Sequence, residues 1–206
     1  MRTEAVIIGY SGHSYVVIDL LMANNVNVLG YLEKSEQLKN PYDLAYLGSE
    51  KDQKTLLSLT ANSFFICIGD NKIRAKLFNE LQWENLFCPS LIATTASVSS
   101  RSEIGDATIV FPNVIINACA IIGNAVICNS GSIVEHECIV GNYCHIAPGA
   151  VLAGNVTIGE HTFIGANAVV RQGIKIGSDV IIGAGAVVTK DIPNGVVVYG
   201  NPARIK

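Results

Sequence analysis

An adjacent histidine and glutamate, His136 and Glu137, are the residues of this sequence best suited to proton-transfer chemistry. Imidazole titrates near neutral pH, and a carboxylate on one ring nitrogen fixes its tautomer and stabilises the imidazolium. The other ring nitrogen can then take a proton from an attacking nucleophile. We predict that His136 acts as a general base and that Glu137 orients it.

The same segment has two other interpretations, a solvated surface histidine and a metal site. Glu135, His136 and Glu137 are consecutive, so one strand or corner cannot direct all three side chains at one ion. The chain also contains no His-x-His pair. We therefore predict no bound metal, and proton transfer is the favoured interpretation of His136.

These residues lie within a six-residue repeat that runs from Val98 to Pro193. Every sixth residue is apolar, and fourteen of these sixteen residues are Val or Ile. A period of six is typical of a short strand and a corner repeated, and such hexads predict a parallel β-helix with three hexads per coil. The next position is Gly or Asn in nine hexads, and we expect those residues to adopt left-handed backbone at the corners. In this register His136 lies at a corner and His145 on an outward strand position, half a coil away.

The residues before the repeat alternate between strand and helix patterns. Such alternation predicts a small, doubly wound parallel sheet of Rossmann-like type. We therefore expect two domains, an α/β domain over 1–93 and a β-helix over 94–206. The predicted strands are 5–9, 26–33 and 63–68, and the predicted helices are 14–25 with a cap at Ser14, 50–59 and 72–84.

Three segments follow the predicted strands at the edge where ligands of such sheets bind. They are the turn Gly9-Tyr10-Ser11-Gly12-His13-Ser14, the residue Glu33, and the segment Gly69-Asp70-Asn71. A turn that opens into a helix offers free N–H groups to a phosphate. The sequence therefore favours a nucleotide or nucleotide-sugar site here, and a purely structural turn is the alternative.

Composition excludes several other classes of function. The net charge of −3 provides no basic surface, so we expect no nucleic-acid partner. No apolar run reaches the length of a membrane span, and the first residues do not read as a signal peptide. Six cysteines without a Cys-x-x-Cys pair favour reduced thiols in a cytoplasmic protein, with Cys128, Cys138 and Cys144 on inward positions.

Five segments together resemble one known family over nearly the whole chain. The segments are VIIGYSGHS (6–14), GYLE (30–33), CIGDNKIR (67–74), the block 129–159, and the tail YGNPARIK (199–206). The hexads resemble the left-handed β-helix acyltransferases, which are trimers that use acetyl-CoA. The order of the segments is similar to that of the sialic-acid O-acetyltransferase-like family, and within it to the bacterial N-acetyltransferases of UDP-4-amino sugars such as UDP-N-acetylbacillosamine precursors.

The resemblance implies roles for four residues of the repeat. His136 matches the base that deprotonates the attacking amine, and Glu137 matches the acidic residue that hydrogen-bonds it. Asn129 matches a residue near the amino sugar, and His145 matches the residue beside the thioester carbonyl of acetyl-CoA.

The remaining matches are contacts to the two substrates. Those to coenzyme A are Gly154, Ala166, Ala184 and Pro202; those to the phosphates are Gly9, Ser11, Gly12 and His13; those to the base and ribose are Glu33, Gly69, Asn71 and Arg74.

The resemblance thus implies acetyl transfer from acetyl-CoA to the 4-amino group of a nucleotide-linked amino-dideoxy sugar, in a homotrimer. No cysteine has a His partner at motif spacing, so we expect direct transfer rather than an acyl-enzyme. Two alternatives stay open at this point, an O-acetyltransferase acting on sialic acid or a related sugar and a non-catalytic hexapeptide-repeat protein. Family members often carry an Asp pair after the second strand, where this chain has Glu33 and Lys34. The nucleotide base therefore remains open between uridine, thymidine and guanosine.

Overall fold

The computed structural model describes residues 4–60 and 62–206, in which the chain forms two compact units, Met1–Leu91 and Ile92–Lys206. The prediction about a signal peptide concerns the first residues and lies outside the described part. The first unit is built on a parallel sheet of strand order β3-β2-β1-β4. Its strands are β1 (Glu4–Ile8), β2 (Asn27–Leu32), β3 (Ala45–Gly48) and β4 (Ser63–Ile66), and its helices are α1 (Gly12–Ala23), α2 (Gln53–Ser58) and α3 (Asn71–Trp83).

The sheet of the first unit forms because short apolar runs alternate with amphipathic segments. Strands β1 and β4 are buried along almost their whole length, as expected for a parallel sheet with helices on its faces.

Two predictions about the first unit were wrong in detail. Strand β3 lies between the predicted strand 26–33 and the predicted helix 50–59, where no strand was predicted, because it is a run of only four residues with polar residues on both sides. The N-cap of α1 is Ser11, and Ser14 lies inside the helix and accepts the Ser11 N–H at 2.8 Å.

The second unit is a parallel β-helix, as the hexads predict. Each strand as far as Val188 has two residues and pairs with the strand 18 residues away, as in the register of Ile127 with His145. Near the C-terminus the strand Val197–Tyr199 has three residues, and Ile181 pairs with Val197, 16 residues later. The junction strand is β5 (Leu91–Ile92). The coil strands are β6 (Ser97–Val98), β7 (Glu103–Ile104), β8 (Ile109–Val110), β9 (Ile115–Ile116), β10 (Ile121–Ile122), β11 (Ile127–Cys128), β12 (Ile133–Val134), β13 (Ile139–Val140), β14 (His145–Ile146), β15 (Val151–Leu152), β16 (Thr157–Ile158), β17 (Phe163–Ile164), β18 (Val169–Val170), β19 (Lys175–Ile176), β20 (Ile181–Ile182) and β21 (Val187–Val188), followed by β22 (Val197–Tyr199) and β23 (Arg204–Ile205).

The coil strands stack into three flat faces. The first face has the order β19-β16-β13-β10-β7, the second has β23-β22-β20-β17-β14-β11-β8, and the third has β21-β18-β15-β12-β9-β6. The predicted inward residues from Ile116 to Val188 are at most 2% exposed, so they form the core. The three inward cysteines, Cys128, Cys138 and Cys144, are buried there as predicted. Burial raises the pKa of the Cys128 thiol to about 12, so this thiol is a packing group.

The residues that supply left-handed backbone differ from those predicted. Positive φ occurs three residues after each inward position, at every sixth residue from Ala107 to Gly185, and most of these residues are not glycine. The glycines that directly follow inward residues have another role. A Cβ atom on Gly105 or Gly165 would lie 2.5–2.7 Å from the next coil, so glycine is required there by close approach of the coils.

Two buried threonines link successive coils through their hydroxyl groups. Thr162 donates to the carbonyl of Gly177 at 2.7 Å and accepts the N–H of Val180 at 3.1 Å. Thr108 makes the equivalent bonds to Gly123 and Val126. The hydroxyl groups therefore satisfy backbone groups that water cannot reach.

We expect Thr162→Val to destabilise the protein by about 1–3 kcal/mol, because the substitution leaves a buried N–H and a buried carbonyl without their partner. The measurement is the midpoint of urea unfolding. Thr157→Val, the same change on the outward side of a neighbouring strand, is the matched control and should leave the midpoint nearly unchanged. Equal midpoints for both variants would contradict a stabilising role of the hydroxyl.

Candidate active site

His136 and Glu137 lie together at an exposed corner between the third and first faces. The Nδ1 atom of His136 is 3.1 Å from Oε2 of Glu137, and the two side chains are 52% and 66% exposed. Glu137 has left-handed backbone with φ of 60°, which turns its carboxylate toward the preceding residue. The carboxylate therefore holds the proton on Nδ1 and leaves Nε2 as an acceptor, which is the arrangement of a general base.

Gly154 occupies the same corner one coil later. The N–H of Asn155 donates to the carbonyl of His136 at 2.9 Å, so the two corners stack directly. Gly154 is buried, and the nearest atoms to the place of its missing side chain belong to the His136 ring. The predicted contact of Gly154 with pantetheine would therefore lie beside the imidazole.

Asn129 and His145 form a second polar pair, on the second face. Asn129 Oδ1 accepts the N–H of Ser130 at 2.8 Å, so its Nδ2 amino group faces Nε2 of His145 at 3.1 Å. An amide N–H requires an acceptor, so Nε2 is unprotonated and the imidazole proton resides on Nδ1. Phe163, on the next coil, packs edge-on against the ring at 5.1 Å between centroids. His145 is therefore held as a neutral N–H donor.

One chain does not bring the two histidines together. His136 lies at the corner between the third and first faces, whereas His145 projects from the second face on the opposite side of the coil. Ala166 and Ala184 are stacked, 18 residues apart, at the corner that follows the second face, and Pro202 lies in the exposed C-terminal tail. The predicted contacts to coenzyme A thus divide between two sides of the coil.

The predicted phosphate turn lies between β1 and α1. Gly9 has φ of 90°, and its missing side chain would contact Ile68 at 2.8 Å, so a glycine is needed there. Ser11 and Gly12 are exposed at the start of α1, where the first N–H groups of a helix have no carbonyl partner within the helix. The N–H of Ser11 itself donates to Ser14. Burial lowers the pKa of His13, and the charge of Arg74 lowers it further, so the imidazole is neutral at neutral pH.

Arg74 supports the loop after β4 from inside the unit. It is 1% exposed, and its guanidinium donates to the carbonyls of Ile68 and Gly69 at 3.1 and 3.0 Å and to Oδ1 of Asn71 at 2.8 Å. Asp70 caps α3 by accepting the N–H groups of Lys72 and Ile73, both at 2.9 Å. The predicted residues Gly69 and Asn71 are therefore held in a fixed loop by a buried positive charge.

A cleft of about 940 Å³ opens at the carboxyl ends of the strands in the first unit. Gly9, Glu33 and Ile68 line it, as do α2 and one side of α3. Glu33 accepts the N–H of Tyr10 at 3.3 Å, which links the ends of β1 and β2. The sequence did not single out the α3 side, which includes Trp83, 86% exposed. Ile73, Leu77, Glu80 and Trp83 recur at helical spacing, so the sequence alone could have indicated that they share one side of α3.

Two family models match this chain. The model of the PglD N-terminal domain covers residues 4–81, and that of the hexapeptide repeat of succinyl-transferase covers residues 155–190. Among the described residues, 4–60 and 62–206, no helix is long and apolar enough to cross a membrane.

Solved structures resemble the entire chain. The acetyltransferase domain of PglB from Neisseria gonorrhoeae is 32% identical, with 99% of this chain and 100% of that chain covered and a TM-score of 0.94; it is also known in complex with acetyl coenzyme A. PerB from Caulobacter crescentus, in complex with CoA and GDP-perosamine, is 36% identical, with 98% and 97% covered and a TM-score of 0.91. WeeI from Acinetobacter baumannii is 27% identical, with 99% and 100% covered and a TM-score of 0.88.

The parallel coil and these matches define a left-handed β-helix acetyltransferase of the hexapeptide-repeat class, an enzyme that uses acetyl-CoA. Within that class, the chain belongs to the sugar N-acetyltransferases that join a PglD N-terminal domain to the coil. The predicted family and fold are thereby confirmed. The roles of individual site residues stay predictions.

We expect Asn129→Asp to move the proton of the His145 ring from Nδ1 to Nε2 or to add a second one, because a carboxylate oxygen accepts a hydrogen bond where the amide donated one. Nitrogen NMR of labelled histidine reports the protonated nitrogen directly, with the signal assigned by its loss in His145→Gln. Asn113→Asp, the same change at another corner, should leave the signal unmoved. A wild-type spectrum with the proton on Nε2 would overturn the assignment.

Proposed function

We propose that this protein transfers the acetyl group of acetyl-CoA to the 4-amino group of a nucleotide-linked amino-deoxy sugar. The observation that carries the proposal is the His136–Glu137 pair, at 3.1 Å, on an exposed corner of an acetyltransferase coil. The likeness to PerB, which is known with CoA and GDP-perosamine, supports an amino sugar joined to a nucleotide as the acceptor.

The proposed chemistry is a direct transfer between the two substrates. His136 Nε2 takes a proton from the amine as its nitrogen attacks the thioester carbonyl, and Glu137 stabilises the imidazolium that forms. The tetrahedral intermediate collapses as the C–S bond breaks, and the thiolate of coenzyme A leaves and is protonated. None of Cys128, Cys138 and Cys144, which are buried in the coil core, is available to form an acyl-enzyme.

His145 fits the role of a donor to the carbonyl oxygen. Its proton resides on Nδ1 because Nε2 accepts from Asn129, so the ring is held in the tautomer that carries an N–H donor on Nδ1. A fixed donor aimed at an oxygen that gains charge stabilises the transition state. Under this proposal Asn129 acts on the reaction through His145 as well as being near the sugar.

The first unit would bind the nucleotide part of the acceptor. The exposed N-terminus of α1, with Ser11, Gly12 and the neutral His13, is placed to receive the diphosphate. The cleft beside Glu33 is large enough for a nucleoside, which would lie beyond the carboxyl ends of the strands. Arg74 would contribute from beneath the loop, by fixing Gly69 and Asn71.

We further propose a cyclic homotrimer whose active sites are shared between protomers. His136 and His145 lie on opposite sides of one coil, so a single site can use both only if neighbouring protomers supply one each. The third face suits the packing of protomers because its outward column contains no charge, whereas the first face carries Glu103 and Lys175 in the same positions. The third-face column consists of Ser97, Ile115, Ile133, Val151, Val169 and Val187.

The acceptor can be tested by thiol release from acetyl-CoA with a panel of nucleotide sugars. The panel pairs 4-amino and 4-hydroxyl forms of the same sugar on uridine, thymidine and guanosine diphosphates. Turnover confined to the amino forms supports N-acetylation, and turnover of the hydroxyl forms would instead show an O-acetyltransferase.

We expect His136→Ala to lower kcat by about 10²–10⁴-fold, the usual contribution of a positioned base. Acetyl-CoA binding, measured by calorimetry, should change little because the imidazole acts on the acceptor amine. His161→Ala, a change of the same kind at another corner, is the control and should keep most of the activity. Full turnover in His136→Ala would refute the base assignment.

Mixing two inactive variants tests the shared site. After His136→Ala and His145→Ala protomers are unfolded together and reassembled, random trimers should regain about a quarter of wild-type activity, because one site in four pairs an intact His136 with an intact His145. Each variant reassembled alone is the control. No recovery in the mixture, with trimers present by light scattering, would place both histidines of a site in one protomer.

A further inference from the structure

Gly154 leaves space that the ring of His136 occupies. A Cβ atom built on Gly154 would lie 2.5 Å from Cε1 and 2.6 Å from Nε2 of His136, and 3.2 Å from Nδ1. These are the three nearest heavy atoms, so the imidazole is the group that a side chain at this position would meet first. The ring therefore rests against the backbone of the following coil.

The backbone itself does not require glycine at this corner. The φ angle of Gly154 lies outside the left-handed region, unlike that of Gly149 or Gly173 on either side. The residues that stack in the same column on the other coils are Ala118, His136 and Gln172, all of which carry side chains. What distinguishes position 154 is the imidazole lying over it.

We infer that Gly154 is a positioning residue for His136. Glu137 holds the ring by a hydrogen bond to Nδ1, and the absence of a side chain on Gly154 allows the ring to pack directly against the backbone of the next coil. Together they determine where Nε2 is presented to the acceptor amine. The catalytic meaning of this position rests on the proposed function, whereas the packing itself does not.

A methyl group at position 154 would displace the ring without unfolding the coil. Contacts of 2.5–2.6 Å must open to the ordinary 3.4–4 Å, which moves the ring by about 1 Å, a misplacement that can cost about 10²-fold in rate. The atoms that must move belong to the end of an exposed side chain, so the core is left undisturbed.

The experiment compares Gly154→Ala with Gln172→Ala, a truncation in the same column one coil later. Gly154→Ala should lower kcat by about 10–100-fold, with the KM for acetyl-CoA within about twofold and the unfolding midpoint unchanged. Gln172→Ala should match the wild type in all three. The NMR signals of the His136 ring should shift in Gly154→Ala alone.

A double variant separates this role from a contact with coenzyme A. If Gly154 acts only through the ring, His136→Ala/Gly154→Ala should be no slower than His136→Ala. A raised KM for acetyl-CoA with unchanged kcat, or a further loss in the double variant, would overturn the inference. If His136→Ala is fully active, the proposed base has failed, and the ring signals still decide whether Gly154 positions the imidazole.

Discussion

Backbone hydrogen bonds between successive coils are the constraint on which the second unit depends. Each strand amide donates to a carbonyl one coil away, as Ile133 does to Ala150 at 2.9 Å and Val151 does to Ala168 at 2.8 Å. These bonds require coils of equal length and close approach, so from Ser97 to Val188 residues 18 positions apart lie one above the other. Large inward side chains and irregular loops are thereby excluded, and branched apolar residues fill the narrow interior.

The chemistry is placed where this constraint is weakest. Strand residues alternate strictly between core and surface, whereas a corner frees the directions of neighbouring side chains. At the corner of His136 the left-handed backbone of Glu137 brings two consecutive side chains together, an arrangement that a strand does not allow. The rigid coil then holds this pair against the next corner, so the site is preorganised without a specialised loop.

The sequence predicted the coil because its signal is redundant. Sixteen hexads have an apolar residue at the same inward position, so a single exception to Val or Ile, such as Cys128, does not alter the predicted register. It predicted the place of His136 for the same reason, since register alone assigns a residue to a corner. The role of the glycines was misread, because a glycine needed for close approach and one needed for positive φ look alike in a sequence.

Other features could not be predicted because they depend on contacts between coils or between elements. The pairing of Asn129 with His145 requires knowing which groups face each other across one coil and which way the amide is turned. Strand β3 has too few apolar residues to stand out from a polar loop. Gly154 was predicted only as a contact to coenzyme A, and the stacked imidazole shows why a side chain is missing there.

The stacking of residues 18 apart also governs how such a chain can change in length. Inserting one hexad would move every later residue onto the next face. Between His136 and Gly154, such an insertion would remove Gly154 from beside the His136 ring. Inserting three hexads would restore the register and simply lengthen the prism. Because the polar pairs and Gly154 lie within less than two coils, from Asn129 to Gly154, the number of coils after them can vary while both pairs stay intact, whereas the predicted coenzyme A contacts at Ala184 and Pro202 would move.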